Sequence, residues 1–131
     1  MKDSKKKKNK LISLISLWLP VFLWALVIFS FSSTSSLKAS NFFIWDFISK
    51  KIAHLSIYAI LFSLILRATN ANWLLTFLIT LTYAATDEFH QHLVPCRNAS
   101  VLDLGFDLSG ANIAAYTIWK LKQIPHGKPN K

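Results

Sequence analysis

The sequence predicts an all-α fold, an integral membrane four-helix bundle with both termini cytoplasmic, and three observations carry that expectation. Hydrophobic residues make up 53% of the 131 and charged ones only 16%, where soluble domains carry about 25% charge. Three glycines and four prolines leave little turn chemistry for a β architecture. Lysines crowd the two ends of the apolar region: Lys2, Lys5, Lys6, Lys7, Lys8 and Lys10 before its first run, Lys120, Lys122, Lys128 and Lys131 after its last. Basic ends around apolar spans set membrane orientation and attract anionic lipid. The formal net charge of +9 is therefore read as a membrane feature, and nucleic acid is set aside as a partner.

A basic tail over residues 1–10 precedes the first span, residues 11–31, which hold no charge and cover about 30 Å of hydrocarbon at 1.5 Å per residue. Pro20 inside it predicts a kink. A cleaved signal peptide is the rival reading, but the apolar stretch exceeds the roughly 7–15 residues of a signal core and no A-x-A site follows it. Residues 41–51 mix aromatics (Phe42, Phe43, Trp45, Phe47) with charges and read as an interfacial segment too short to cross.

The second span, residues 52–67, is apolar apart from His54 and small hydroxyls, and Arg67 closes it. The third begins at Trp73, and its purely apolar part ends at Ala85; to cross it must run on to 91, drawing Asp87 and Glu88 to the membrane boundary or below it. The fourth, residues 101–121, reaches span length only if Asp103 and Asp107 belong to it. A basic tail, residues 122–131, follows. With the amino terminus inside, the six early lysines, Arg67 and the four late lysines are cytoplasmic, against Lys38, Lys50, Lys51 and Arg97 outside; the positive-inside rule favours this orientation.

The polar residues then fall at one depth. Counted from each cytoplasmic end, His54, Asp87 and Asp107 all come out roughly 18–21 Å up. Ionisable groups in hydrocarbon normally face a bundle interior or a wet cavity, so a shared polar site is expected. Within α-helices, Lys51, His54 and Tyr58 share a face, as do Asp87, His90 and Gln91, with Glu88 and His92 beside them. Asp103, Asp107, Gly110 and Ala114 line another, where the small pair permits close helix approach. Ser100 and Asp103 fit a capping box at a helix start. Asp107, one turn deeper, needs a partner such as Lys51 or Arg97. Cys96 is the only cysteine, which excludes an intrachain disulfide and a cysteine zinc ribbon. Glu88, His90, His92 and His54 are conceivable ligands, but without HExxH or CxxC spacing no metal is assigned, and no cofactor is expected.

These residues carry a resemblance. Over 51–114, the pattern K-x-x-H-x-x-x-Y followed by TDEFHQHLVPCRNASVLDLGFDLSGA resembles the VanZ-like membrane family. The DE-x-x-Q-x-x-x-P-x-R-x-x-S-x-x-D run is its most specific part. The matching positions are Lys51, His54, Tyr58, Asp87, Glu88, Gln91, Pro95, Arg97, Ser100, Asp103, Asp107 and Gly110. Cys96 stands where the family usually has Gly, so a Pro-Gly type II turn is altered here, and Ala114 stands where a second Gly is common. The resemblance implies a small multi-helix membrane protein whose founding member is linked to low-level resistance to teicoplanin, a glycopeptide acting on cell-wall precursors.

Three functional expectations follow. The first is a multi-pass protein of the cell envelope that binds an anionic lipid or a lipid-linked cell-wall precursor through Lys51, His54, Tyr58, Asp87, Glu88, Gln91, Arg97, Asp103 and Asp107, with altered glycopeptide susceptibility as its consequence. Lys51 and Arg97 would hold the phosphate. The second is a small intramembrane enzyme acting on a lipid headgroup, with His54, Asp87 and Glu88 as catalytic candidates, although no nucleophile stands out. The third is a structural or accessory bundle held together by its polar residues. Oligomerisation is compatible with so thin a bundle.

Overall fold

The computed structural model describes residues 2–33, 43–94 and 101–123. They form four α-helices: α1, Lys2–Ser32; α2, Phe43–Ala68; α3, Trp73–Leu93; and α4, Val101–Gln123. There is no strand among the described residues. α1 extends back through the lysine-rich tail, where Lys and Asn raise no steric obstacle to helix. The aromatic stretch read as a separate interfacial piece is, from Phe43 onward, the opening of a continuous 26-residue α2. Neither Gly nor Pro interrupts it.

α1 continues through Pro20. Proline has no amide hydrogen for the carbonyl four residues earlier, here that of Ser16. That carbonyl instead accepts from Arg67 Nη2 of α2 at 3.4 Å. Two further bonds dock α1: Trp24 Nε1 donates to the Ile57 carbonyl at 2.9 Å, and the Tyr83 hydroxyl donates to the Ala25 carbonyl at 2.6 Å.

The α2–α3 connection is short and fully bonded. The Ala71 amide returns to Leu66 O and that of Asn70 to Arg67 O, the pairing of a Schellman motif. Asn70 (φ 53°) and Ala71 (φ 63°) are left-handed; Asn tolerates that conformation and Ala does so at a cost. Asn72 then caps α3, its side chain accepting from the Leu75 amide at 3.1 Å.

α2 is the central helix. It touches all three others, most extensively α4, and supplies the buried Tyr58, Leu61, Phe62, Ile65 and Leu66. One core cluster joins α2 to α1 and α3 through Val21, Ile28 and Ala84; a second joins it to α4 through Ala111, Ala114 and Ala115. α2 and α4 approach closely at Gly110, where an added Cβ would lie 2.2 Å from the Leu55 carbonyl oxygen.

Beside these apolar clusters the bundle also buries polar side chains from α3 and α4, while its outward faces are apolar. α3 turns Thr76, Thr80, Ala84, Asp87 and Gln91 inward and leaves Leu74, Leu75, Leu78, Leu81 and Phe89 exposed. On α4, Asp103 and Asp107 are buried while Leu102, Ile113, Tyr116 and Trp119 are exposed. Two stretches, Lys7–Ser32 and Phe47–Ala68, are long and apolar enough on composition alone to cross a membrane. Among the described residues, α3 and α4 contain no such stretch.

Candidate functional site

The polar residues of α2 and α4 meet as a ladder. Each helix presents side chains one turn apart on a common face, so Lys51 and His54 on α2 stand opposite Asp103 and Asp107 on α4. The first rung is the Lys51–Asp103 ion pair. The Lys51 ammonium also lies 5.2 Å from the Phe47 ring and 5.0 Å from the Phe106 ring, flanked by two electron-rich faces. The second rung is His54 Nδ1 to Asp107 Oδ1 at 2.8 Å. Gly110 sets this geometry: a side chain there would push α4 off Leu55 and part both rungs.

One turn deeper on α2, the buried Tyr58 hydroxyl donates to Asp87 Oδ2 of α3 at 3.2 Å. Gln91 Nε2 donates to the same oxygen at 2.8 Å and approaches Ser32 Oγ of α1 at 3.2 Å. All four helices therefore feed one polar core. Glu88 is half-buried beside it, within Coulombic reach of both Lys51 and Asp107. The buried carboxylate oxygens Asp87 Oδ1 and Asp107 Oδ2 meet no donor among the described residues.

Lys51, His54, Tyr58, Asp87, Glu88, Gln91, Asp103 and Asp107 thus fall in one region, as their helical spacing led us to expect. The pairings differ from the sequence reading. Asp107 takes His54 rather than Lys51, because Lys51 lies one turn nearer the end of α2 and meets Asp103 instead. His54 is oriented by Asp107, not by Asp87 or Glu88. Asp103, expected as a cap, is engaged by Lys51; its proposed capping partner Ser100, together with Pro95, Cys96 and Arg97, lies outside the described residues.

His90 leaves this core. It stacks on Phe29 of α1, with centroids 4.5 Å apart, and its Nε2 lies 3.1 Å from Ser33 Oγ. Ser33 donates its own hydroxyl hydrogen to the Phe29 carbonyl at 2.7 Å, so the imidazole is the donor to serine. The pair is a latch between α1 and α3 rather than a base with its nucleophile. His92 is exposed. Among the described residues no group of three His, Cys, Asp or Glu side chains is placed to share a metal ion. Sequence reasoning missed Ser32, Ser33 and the Thr76–Thr80 stripe, whose only signal was the four-residue spacing of small polar residues leading up to Asp87.

Chemically, the ladder offers one oriented imidazole, one aromatic-flanked ammonium and an excess of carboxylates. A family model described as VanZ/LLP1 matches residues 3–123, nearly the whole chain. No curated protein and no solved structure matches the sequence significantly.

Proposed function

We propose, from the premise that the chain belongs to the VanZ/LLP1 family, that it is a multi-pass protein of the cell membrane whose four helices all cross, with both termini cytoplasmic. On this reading the polar core opens to the extracytoplasmic side and binds an anionic lipid or a lipid-linked cell-wall precursor. The observation that carries it is the inverted arrangement of side chains. In water, a helix such as α3, with Thr, Asp and Gln inside and Leu and Phe outside, would bury the wrong face. In lipid the same arrangement is favourable, since ionisable groups are kept from hydrocarbon by facing the bundle interior.

Lys51 keeps two ammonium hydrogens beyond the one given to Asp103, and with Arg97 it would hold a phosphate through charge-assisted bonds. Asp87, Glu88, His54 and Asp107 would form the floor beneath. A changed response to glycopeptides such as teicoplanin is the cellular consequence in this account. The test compares lipids copurified with wild type and with Arg97→Ala, by mass spectrometry. A specific phosphate-bearing lipid, retained by wild type and lost from a folded Arg97→Ala protein, is the expected result; identical lipid profiles count against it.

A second reading is favoured by one contact. With Nδ1 held by Asp107, His54 has the orientation of an imidazole kept in one tautomer by a carboxylate, a pairing that hydrolases use to prepare Nε2 as a base. An enzyme acting on a lipid headgroup would then use His54 to take a proton from water. Turnover of bound lipid that is lost in His54→Gln separates this reading from binding alone.

A further inference from the structure

A groove of about 410 Å³ opens on the outer surface between α3 and α4, towards the end of the bundle away from the polar ladder. It is lined by Trp73 of α3 and by Asn112, Ala115, Tyr116 and Trp119 of α4. The four α4 residues follow one another at three- and four-residue intervals and so share a face. Two of the lining rings carry an ammonium: Lys120 Nζ lies 5.9 Å from the Tyr116 ring and Lys122 Nζ 5.5 Å from the Trp73 ring. One cation is therefore held at the rim on the α4 side and one on the α3 side. No acidic residue occurs between Asp46 and Asp87 or after Asp107, so neither wall brings a carboxylate to neutralise them.

We propose that this groove seats an anionic phospholipid of the cytoplasmic leaflet, as a second lipid site separate from the polar core. The inference rests on the membrane-spanning reading above, which puts the last turn of α4 at the inner headgroup level, and not on ligand binding at the ladder. Charge and shape together name the occupant. A soluble phosphate would meet the two ammoniums and leave the aromatic walls uncovered; an uncharged chain would cover the walls and leave the cations unmatched. An anionic phospholipid does both, its phosphate taking charge-assisted hydrogen bonds from the lysines and its acyl chain lying along the rings. Asn112 suits the part between. It lies four residues from Tyr116, one turn or about 6 Å deeper along α4, and its side chain is exposed. The amide is placed to donate to an ester carbonyl, the group that follows the phosphate in a glycerophospholipid, whereas hydrocarbon alone would leave it at a cost.

The experiment is native mass spectrometry of the full chain with phosphatidylglycerol and phosphatidylcholine of identical acyl chains. Wild type is expected to retain phosphatidylglycerol preferentially, and Lys120→Gln and Lys122→Gln should each cut that preference by about fivefold. Lys7→Gln with Lys8→Gln removes the same charge from the basic tail in α1 and should leave the preference intact. Asn112→Leu, which takes away the amide common to both lipids, should weaken both by a similar factor and leave their ratio unchanged. All of these side chains are exposed, so the variants are expected to fold. Equal retention of the two lipids by wild type overturns the inference, as does a preference that survives loss of both Lys120 and Lys122. An equal loss in the Lys7 and Lys8 variant reduces the effect to overall charge and overturns it too. A preference lost in Arg97→Ala and kept in the lysine variants belongs to the polar core, and a lipid-free dimer broken by Trp119→Ala gives the groove to a second copy; either result sinks the proposal. Release of the protein from vesicles by alkaline carbonate would sink the membrane-spanning reading itself, whereas a protein that stays in the vesicles without the lysine-dependent preference sinks this inference alone.

Discussion

At the scale of single residues, the two glycines of α4 make the sharpest contrast. A methyl at Gly110 would meet backbone, the Leu55 carbonyl at 2.2 Å, which cannot swing aside as a side chain can; a methyl at Gly105 would meet nothing within 4 Å. Gly110→Ala should therefore destabilise by about 1–3 kcal/mol through overpacking. Gly105→Ala should be neutral, or stabilise by up to about 1 kcal/mol through helix propensity. Thermal unfolding in detergent, followed by tryptophan fluorescence, reads both. The members of the polar ladder were legible from the sequence because three- and four-residue spacing assigns a side chain to a face. Their pairing was not, since periodicity says nothing of the relative height of two helices. That height is set by contacts such as Gly110 against Leu55, which a sequence pattern does not display.

At the scale of elements, Pro20 and Arg67 belong together. Proline leaves the Ser16 carbonyl without its intrahelical donor, and the Arg67 guanidinium supplies one from the neighbouring helix. Restoring the amide with Pro20→Ala should make the guanidinium less necessary. Arg67→Met is expected to cost a few tenths to about 1 kcal/mol in the parent, the worth of a long hydrogen bond, and less in the Pro20→Ala background. A double-mutant cycle on unfolding free energies measures the difference; full additivity would show that the two are not coupled. α3 begins at Trp73, directly after the Asn72 cap and where an apolar run begins. The sequence reading misjudged α2, whose aromatic and charged opening looked like a separate piece when only hydropathy was weighed. Helix continues through such residues wherever no Gly or Pro stops it.

At the scale of the whole molecule, the dominant fact is a stripe of buried polar side chains inside a bundle whose outward faces are apolar. It was half legible: the carboxylates stood out by their charge, whereas Thr76 and Thr80 did not, because threonine is common on any helix surface. Orientation is open to a direct check through Cys96, which lies in sequence between α3 and α4. With both termini cytoplasmic, a membrane-impermeant maleimide should label this thiol in intact cells, or after outer-membrane permeabilisation in a double-membrane organism. Labelling confined to lysed cells, with the thiol shown to be accessible, would reverse the orientation and move the polar core to the cytoplasmic side.

The tight pairing of α2 with α4 also bears on biogenesis. The two are not neighbours in the chain, so α3 must be made and placed before His54 can meet Asp107 or Lys51 can meet Asp103. During synthesis, α2 therefore carries two bases with no acids opposite them, and α3 delivers two carboxylates before the ladder is complete. On the membrane reading proposed above, a helix burdened in this way is costly to place in hydrocarbon before its counterpart is present. On the same reading, the polar core is expected to order assembly as well as shape a site, because α4 carries the counterparts of both Lys51 and His54.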